Sequence, residues 1–262
     1  MRIPRALTIA GSDSGGGAGI QADLKTFSAF RVFGTSVITA VTAQNSVGVQ
    51  GVENLPPAFV AQQLRSVLDD FGADAAKCGM LSTAPIIEAI ADVLRERPIA
   101  NLVVDPVMVA KSGDPLLRDD ARQALIARIL PLALVVTPNL PEAEALAGVP
   151  VTDRAGMEEA ARRIAGLGPR HVLVKGGHLK GDAVDLLWDG CAFETFVSAR
   201  VDSTNTHGTG CTLSAGIAAG LALGYSLTDA ITRAKAYVTR AIREGFQAGR
   251  GVGQLRHFLD EW

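Results

Sequence analysis

The stretch that most restricts what this chain can become runs from Cys211 to Gly224, CTLSAGIAAGLALG, fourteen residues without a single charge. A helix that is apolar all round is buried all round. The fold must therefore wrap this segment, and only its N-terminal end can reach a cleft. Ahead of it stands Asp202-Ser-Thr-Asn-Thr-His-Gly-Thr-Gly-Cys211. Gly208 and Gly210, on either side of Thr209, permit backbone angles that a side chain forbids. The first N–H groups of a helix lack intrahelical acceptors, and the helix dipole adds positive potential there. Anions, phosphate above all, bind at such points. Cys211 falls on the first turn, where thiol pKa values drop below their usual ~8.5, and a thiol there could take a proton from a substrate hydroxyl beside a bound phosphate. The same residues also describe a glycine turn capping a buried helix, with Cys as a small core residue.

Around this helix the sequence alternates strand and helix patterns. Arg5–Gly11 is an apolar, strand-like run that ends in Ser12-Asp-Ser-Gly-Gly-Gly17, and Ala18–Val32 carries Ile20, Leu24 and Phe27 at helical spacing. Further strands are expected at Thr35–Ala43, Ala73–Cys78, Asn101–Val104, Leu132–Val136 and His171–Val174. Helices are expected at Pro56–Phe71, Ala84–Arg97, Asp119–Leu130, Pro141–Ala147 and Thr152–Leu167, with Gly148 and Gly168 as stops. Asp189-Gly190 between Asp182–Trp188 and Cys191–Val197 is a strong hairpin signal. The last third reads as helix over Gly210–Gly224, Leu227–Gln247 and Gln254–Asp260. No linker, repeat or low-complexity segment divides residues 1–262, so one α/β domain is expected, a mainly parallel sheet covered on both faces with a small antiparallel hairpin.

Such sheets bind ligands beyond the carboxyl ends of their strands. Those ends carry Ser12–Gly17, Gln44, Gly79-Met80, Asp105, Asn139, Lys175 and the Asp202–Cys211 loop, which together describe a phosphate-handling cleft. Each residue also has a plain reading. Glu142 in a first helical turn complements the dipole. Asp105 before Pro106 forms a turn. Lys175 fits a surface lysine, Gln44 a satisfied loop amide and Met80 a core filler. Gly15-Gly-Gly-Ala-Gly19 is not a dinucleotide fingerprint, because Ile20 stands where the third glycine belongs, and no G-K-[ST] is present. Any phosphate site must use the other loop.

Composition narrows the function classes. Hydrophobic residues make up 48%, charged residues 20%, and the formal net charge is −2, so no basic field exists to attract nucleic acid or an anionic membrane. Cys78, Cys191 and Cys211, like the four histidines, show neither disulfide nor zinc spacing. The apolar run Ala6–Gly11 is too short for a signal peptide and meets Asp13; no run approaches the ~18 apolar residues of a membrane helix. A cytoplasmic protein is expected.

Gly11-Ser-Asp-Ser-Gly-Gly-Gly-Ala-Gly-Ile-Gln-Ala-Asp23, Thr42-Ala-Gln-Asn45, Asp105-Pro-Val-Met108, Asn139-Leu-Pro-Glu142, Lys175-Gly-Gly-His178 and His207-Gly-Thr-Gly-Cys211 occur in this order along nearly the whole chain. In these motifs the sequence resembles the hydroxymethylpyrimidine/phosphomethylpyrimidine kinases of thiamine biosynthesis, which have the ribokinase-like three-layer α/β/α fold. The resemblance implies ATP- and Mg²⁺-dependent phosphorylation of 4-amino-5-hydroxymethyl-2-methylpyrimidine, then of its monophosphate, by a homodimer. It implies that Gln44 hydrogen-bonds the pyrimidine edge, with Gly11, Asp23, Met80 and Val107 lining that pocket. Asn139, Lys175, Thr209 and Gly210 fall at nucleotide-phosphate positions. Asp105 and Glu142 match acidic positions associated with Mg²⁺, in part through water. Gly208, Gly210, Lys175 and Cys211 form the catalytic set. The wider superfamily carries Asp at the position of Cys211, and this branch carries Cys. Lys111-Ser-Gly-Asp-Pro115 has the composition of a flap over the site, or of a surface turn. A pyridoxal or pyridoxine kinase, or a pyrimidine sensor without catalysis, would share the scaffold; the set Asp105, Glu142, Lys175 and Cys211 argues for catalysis.

Overall fold

The computed structural model describes residues 2–108, 118–177 and 181–260. The flap segment 111–115 and His178 lie outside them. The strands are β1 (Arg5–Asp13), β2 (Phe33–Asn45), β3 (Gly48–Asn54), β4 (Ala75–Cys78), β5 (Leu102–Val104), β6 (Val135–Val136), β7 (His171–Lys175), β8 (Ala183–Trp188) and β9 (Phe193–Ser198). The helices are α1 (Gly19–Ala29), α2 (Pro57–Asp70), α3 (Ala84–Glu96), α4 (Asp119–Ala124), α5 (Leu140–Ala147), α6 (Arg154–Ala165), α7 (Thr209–Ala222) and α8 (Leu227–Arg243). The strands form one sheet in the order β3-β2-β1-β4-β5-β6-β7-β8-β9. β2, β1, β4, β5, β6 and β7 run parallel, and β3, β8 and β9 add antiparallel edges.

Strand periodicity of two sorts the core into layers. Leu7, Ile9, Ala76, Cys78, Leu102, Val104, Val136, Val172 and Val174 pack on one face with residues of α2, α3, α5 and α6. The alternate positions Ala6, Ala75, Val103, Val135 and Leu173 pack on the other face with α1, α7 and α8. On that second face α7 is the innermost helix. Its residues Thr212 to Leu221 are all buried, as its charge-free sequence requires. A Cβ on Gly216 would lie 2.9 Å from Ala234 Cβ and one on Gly220 2.8 Å from Ala230 Cβ, so these glycines let α8 approach closely.

Five expectations change. β3 carries no sequence signal, because Gly-Val-Gln-Gly-Val-Glu-Asn has no apolar alternation and five of its residues are exposed; it exists because β2 extends through Asn45 and offers its edge as a template. Residues 119–130 are not one α-helix: α4 passes into a π-helical turn, Leu125–Ile129, and a 3₁₀ turn, Leu130–Leu132, that includes Pro131. Pro131 supplies no N–H to a continuing ladder, and the following strand shortens to Val135–Val136. Gln254–Asp260 is not helical. Gln254 instead exchanges backbone hydrogen bonds with Phe246 at 2.8 and 3.0 Å, and Arg256 N–H donates to Ala241 at 3.1 Å, so tertiary partners take the groups a helix would use. α8 correspondingly ends at Arg243. The hairpin at Asp189-Gly190 forms as read, with Asp189 Oδ1 accepting from Cys191 and Ala192 N–H. No helix among the described residues is long and apolar enough to cross a membrane.

Candidate active site

The parity that places Ala6, Ala75, Val103, Val135 and Leu173 against α7 also places Thr8, Lys77, Asp105, Thr137 and Lys175 on that face, two residues further along each strand. These five polar residues form a row across the sheet, within β1 and at or just past the carboxyl ends of β4, β5, β6 and β7. All but Lys175 are buried, and the Lys175 side chain is only 13% exposed. Buried charge is tolerated only when paired, and each charge here has a partner.

Asp105 is the centre of the row. Its Oδ1 accepts from Lys175 Nζ at 2.8 Å and from Thr137 Oγ1 at 3.3 Å, and its Oδ2 accepts from Ser214 Oγ at 3.4 Å. Burial opposes the charge on Lys175, but Asp105 and Glu142 outweigh it and raise the ammonium above its ordinary pKa. Lys175 is held from below as well: Gly176 N–H donates to Asp185, whose other oxygen accepts from the buried Lys235 at 2.5 Å. A Cβ on Gly210 would lie 3.4 Å from Lys175 Nζ and 3.5 Å from Asp105 Oδ2, so the first turn of α7 sits directly on this ion pair. The N–H groups of Gly210 and Cys211 have no acceptor among the described residues. Thr209 Oγ1 turns back to Thr206 O at 2.8 Å. At this helix start, two amides without an acceptor among the described residues stand beside a fixed ammonium, an arrangement suited to phosphate.

Asn139 and Glu142 close a capping box at the start of α5: Asn139 Oδ1 accepts from Glu142 N–H at 2.9 Å, and Glu142 Oε2 accepts from Asn139 N–H at 2.8 Å. The plain reading of Glu142 as a helix-start residue is therefore correct as far as it goes. Burial nevertheless pushes its carboxyl up to about 7, against the pull of Lys175 and with Asp105 adding to the rise. Glu142 and Asp105 share Lys175 as their common neighbour.

Cys211 departs from the expectation of a lowered thiol. Burial pushes it up to about 11; Lys77 and the Gly19 N–H pull it down, while Asp23 and Asp105 push it further up. Asp23 does not present its carboxylate to an open pocket. It is fully buried, with Oδ2 accepting from Thr8 Oγ1 at 2.6 Å and from Lys77 Nζ at 2.8 Å. Burial opposes the Lys77 charge, and Asp23 overcomes it, raising the ammonium well above its ordinary range. Lys77 and Thr8 thus belong to the floor of the site; in the sequence both look like interior strand positions, and nothing local marks them.

The opposite side of the mouth is built by β1 and β2. Gly11 N–H donates to Met80 O at 3.1 Å, and a Cβ at Gly11 would meet Met80 Cε at 2.6 Å. Val107 N–H turns back to Asp105 O at 2.8 Å. Thr42 Oγ1 lies 3.0 Å from both Ser12 O and Gln44 Oε1, so it ties the end of the Gln44 side chain to the end of β1. The Gly15–Ala18 loop has its own anion already: Asp13 accepts from the N–H groups of Gly15, Gly17 and Ala18. With those N–H groups taken, the Gly15–Ala18 loop has fewer donors to offer an anion than the start of α7. Asp13 and His207, which touch at 3.1 Å, lie inside the quoted motifs but were given no role; only the fold brings them together.

Among known proteins, the family described as phosphomethylpyrimidine kinase matches residues 13–256. The chain belongs to that family. This phosphomethylpyrimidine kinase family member is 53% identical, over 97% of its length, to the hydroxymethylpyrimidine/phosphomethylpyrimidine kinase of Streptomyces coelicolor, covering 94% of that protein. It is 56% identical over 97% of its length to the thiamine biosynthesis bifunctional protein ThiED of Geobacter sulfurreducens, of which it spans 52%. Among solved structures, an ADP complex of Bacillus subtilis pyridoxal kinase superposes with a TM-score of 0.91 at 43% identity, covering 98% of each chain. The three-layer α/β/α sheet is the ribokinase-like architecture expected from the motifs.

Proposed function

We propose that the chain transfers the γ-phosphoryl group of ATP to the hydroxyl of 4-amino-5-hydroxymethyl-2-methylpyrimidine, and then phosphorylates the monophosphate to the diphosphate, as a step of thiamine biosynthesis. The observation that carries this reading is the convergence of Lys175, held by Asp105, with the free N–H groups of Gly210 and Cys211 beside a thiol. Phosphoryl transfer requires positioning and neutralisation of charge more than covalent chemistry by the protein. Lys175 and the α7 amides neutralise charge on the transferring group, and Asn139 with Thr209 borders the same space. Gln44 hydrogen-bonds the ring edge. In the first transfer the substrate oxygen bonds to the γ-phosphorus as the bond to the β-phosphate oxygen breaks, and the hydroxyl proton passes to Cys211 in its thiolate form, the minor species at pH 7 with the thiol pushed up to about 11. In the second, the acceptor is a phosphomonoester, largely dianionic at pH 7, which has no such proton to lose.

The donor set suits Mg²⁺. Among the described residues no three His, Cys, Asp or Glu groups converge into a closed cage, whereas Mg²⁺ usually takes one or two carboxylates plus phosphate oxygens and water. Asp105 and Glu142 would be those carboxylates, and Mg²⁺ held there would supply further charge neutralisation for the transferring phosphate. The reading takes residues 1–262 as one kinase domain acting on a small molecule in the cytoplasm as a homodimer, without nucleic acid or membrane as partner. The unpaired Cys78, Cys191 and Cys211 agree with a reducing compartment.

The test is purified protein with Mg-ATP and the aminopyrimidine alcohol, with pyridoxine and pyridoxal in parallel and the products resolved over time. Monophosphate that appears and then converts to diphosphate is the expected result. Phosphorylation of the vitamin B6 alcohols alone would refute it and favour the second reading, a pyridoxal kinase, which the likeness to the Bacillus subtilis enzyme supports. No product from any acceptor would leave a binding protein.

A further inference from the structure

The glycine loop after β1 is built around one carboxylate. Asp13 Oδ1 accepts from Gly15 N–H at 2.8 Å, and Oδ2 accepts from Gly17 N–H at 3.1 Å and Ala18 N–H at 2.8 Å. Oδ2 also meets His207 Nε2 at 3.1 Å. An ionised carboxylate only accepts, so Nε2 carries the hydrogen in this contact. Burial opposes the charge on Asp13, but His207 and the Ala18 and Gly15 N–H groups outweigh it and hold the carboxyl below its usual value. The junction has no slack. A Cβ on Gly17 would lie 2.3 Å from His207 Cδ2, and one on Gly208, where φ is +81°, would lie 1.8 Å from Gly17 O.

The same loop has a second grip. Ser14 Oγ accepts from Gln44 N–H at 2.8 Å and donates to Gln44 O at 2.9 Å. A continuous set of contacts therefore runs from Gln44 through Ser14 and Asp13 to His207, and from His207 along the chain to Gly208, Gly210 and Cys211. His207 is anchored on its far side by its N–H, which donates to Gly253 O at 3.1 Å. Two loops joined by a junction without slack shift together, so a ligand that fixes the position of one constrains the position of the other.

We propose that Asp13 and His207 are positioning residues that couple the ring-binding side of the site to the phosphate-binding amides, so that bound aminopyrimidine alcohol tightens the nucleotide and the nucleotide tightens the alcohol. This rests on the assignment of Gln44 to the ring and of the α7 amides to phosphate made above. The coupling is reciprocal by thermodynamic necessity, with the same factor read from either ligand.

Calorimetry on the full chain tests it. The Kd of 4-amino-5-hydroxymethyl-2-methylpyrimidine is measured alone and with saturating Mg²⁺ and a non-hydrolysable ATP analogue. The expected ratio of the two is on the order of 5–150, the usual range for such coupling. His207→Leu is expected to bring the ratio to about 1 while both binary complexes still form, and His207→Gln, whose amide N–H can still donate to Asp13, restores it. Asp13→Asn is the second variant should His207→Leu not fold, with the same loss of ratio expected. A merely structural role would weaken the binary complexes and leave the ratio unchanged; that outcome, or a ratio of 1 in the unaltered chain, overturns the proposal. If the alcohol does not bind but pyridoxal does, the pyrimidine assignment fails and the ratio measured with pyridoxal decides the coupling. Binding of neither ring overturns both.

Discussion

Replacing Cys211 separates chemistry from geometry, because its environment sets a definite pH signature. With the thiol pushed up to about 11 by burial, the thiolate fraction is about 10⁻⁴ at pH 7 and about 10⁻² at pH 9. If the thiolate accepts the hydroxyl proton, the single-turnover rate of the first phosphorylation rises about tenfold per pH unit across that range. The second phosphorylation has an acceptor with a pKa near 6, so its rate stays nearly flat above pH 7. Cys211→Ala then removes about 10²–10⁴-fold from the first step, the usual range for general base catalysis, abolishes its pH slope and leaves the second step little changed. Cys211→Ser keeps the shape of the first α7 turn, and is expected to behave like Ala. The assay is rapid quench with labelled ATP, each acceptor supplied separately from pH 7 to 9. Equal losses in both steps, or a first step that is flat with pH in the unaltered chain, would refute the role of the thiolate and leave Cys211 as a spacer that shapes the loop.

Two further outcomes concern the framework under the site. Lys77→Met leaves Asp23 buried without its ammonium; removing one partner of a buried pair costs about 3–5 kcal/mol, so the melting temperature falls by about 6–20 °C, and adding Asp23→Leu recovers much of the loss in a calorimetric scan. No recovery in the double variant would mean that the unpaired carboxylate is not the source of the cost. His257 is buried, and that burial chiefly, with Lys25 adding to it, lowers its pKa to about 4, while its Nε2 contacts Thr212 Oγ1 at 2.9 Å beside Cys211. Its folded pKa lies below the unfolded value, so its contribution is complete above pH 6.5 and is lost as pH falls toward 4, about 3 kcal/mol in all. Stability of His257→Gln measured by urea titration from pH 7 to 4 is expected to fall less steeply than that of the unaltered chain; parallel curves would sink the assignment.

The sequence by itself determined a great deal: that α7 is an interior helix, because no face of Cys211–Gly224 can meet water; that β and α elements alternate, because apolar runs and glycine stops recur at that spacing; and that the cleft lies at the strand ends carrying Asp105, Asn139 and Lys175. Each of these follows from local composition or from a period that a few neighbouring residues display. What the tertiary structure alone decided depends on parts distant in the chain. Lys77 reads as an odd residue in an apolar strand until Asp23, from another element, neutralises it. Glu142 reads as a cap, which it is, and only the approach of Lys175 and Asp105 gives it a second electrostatic setting. β3 and the 254–260 segment obey partners, β2 in one case and Phe246 with Ala241 in the other, rather than their own propensities. The thiol of Cys211 lies at a helix start, where local reasoning lowers its pKa, but burial, with Asp23 and Asp105 adding to it, raises it. Periodicity is a property of neighbours along the chain, whereas desolvation and the pairing of buried charge are sums over everything packed nearby, and those sums exist only once the chain has folded.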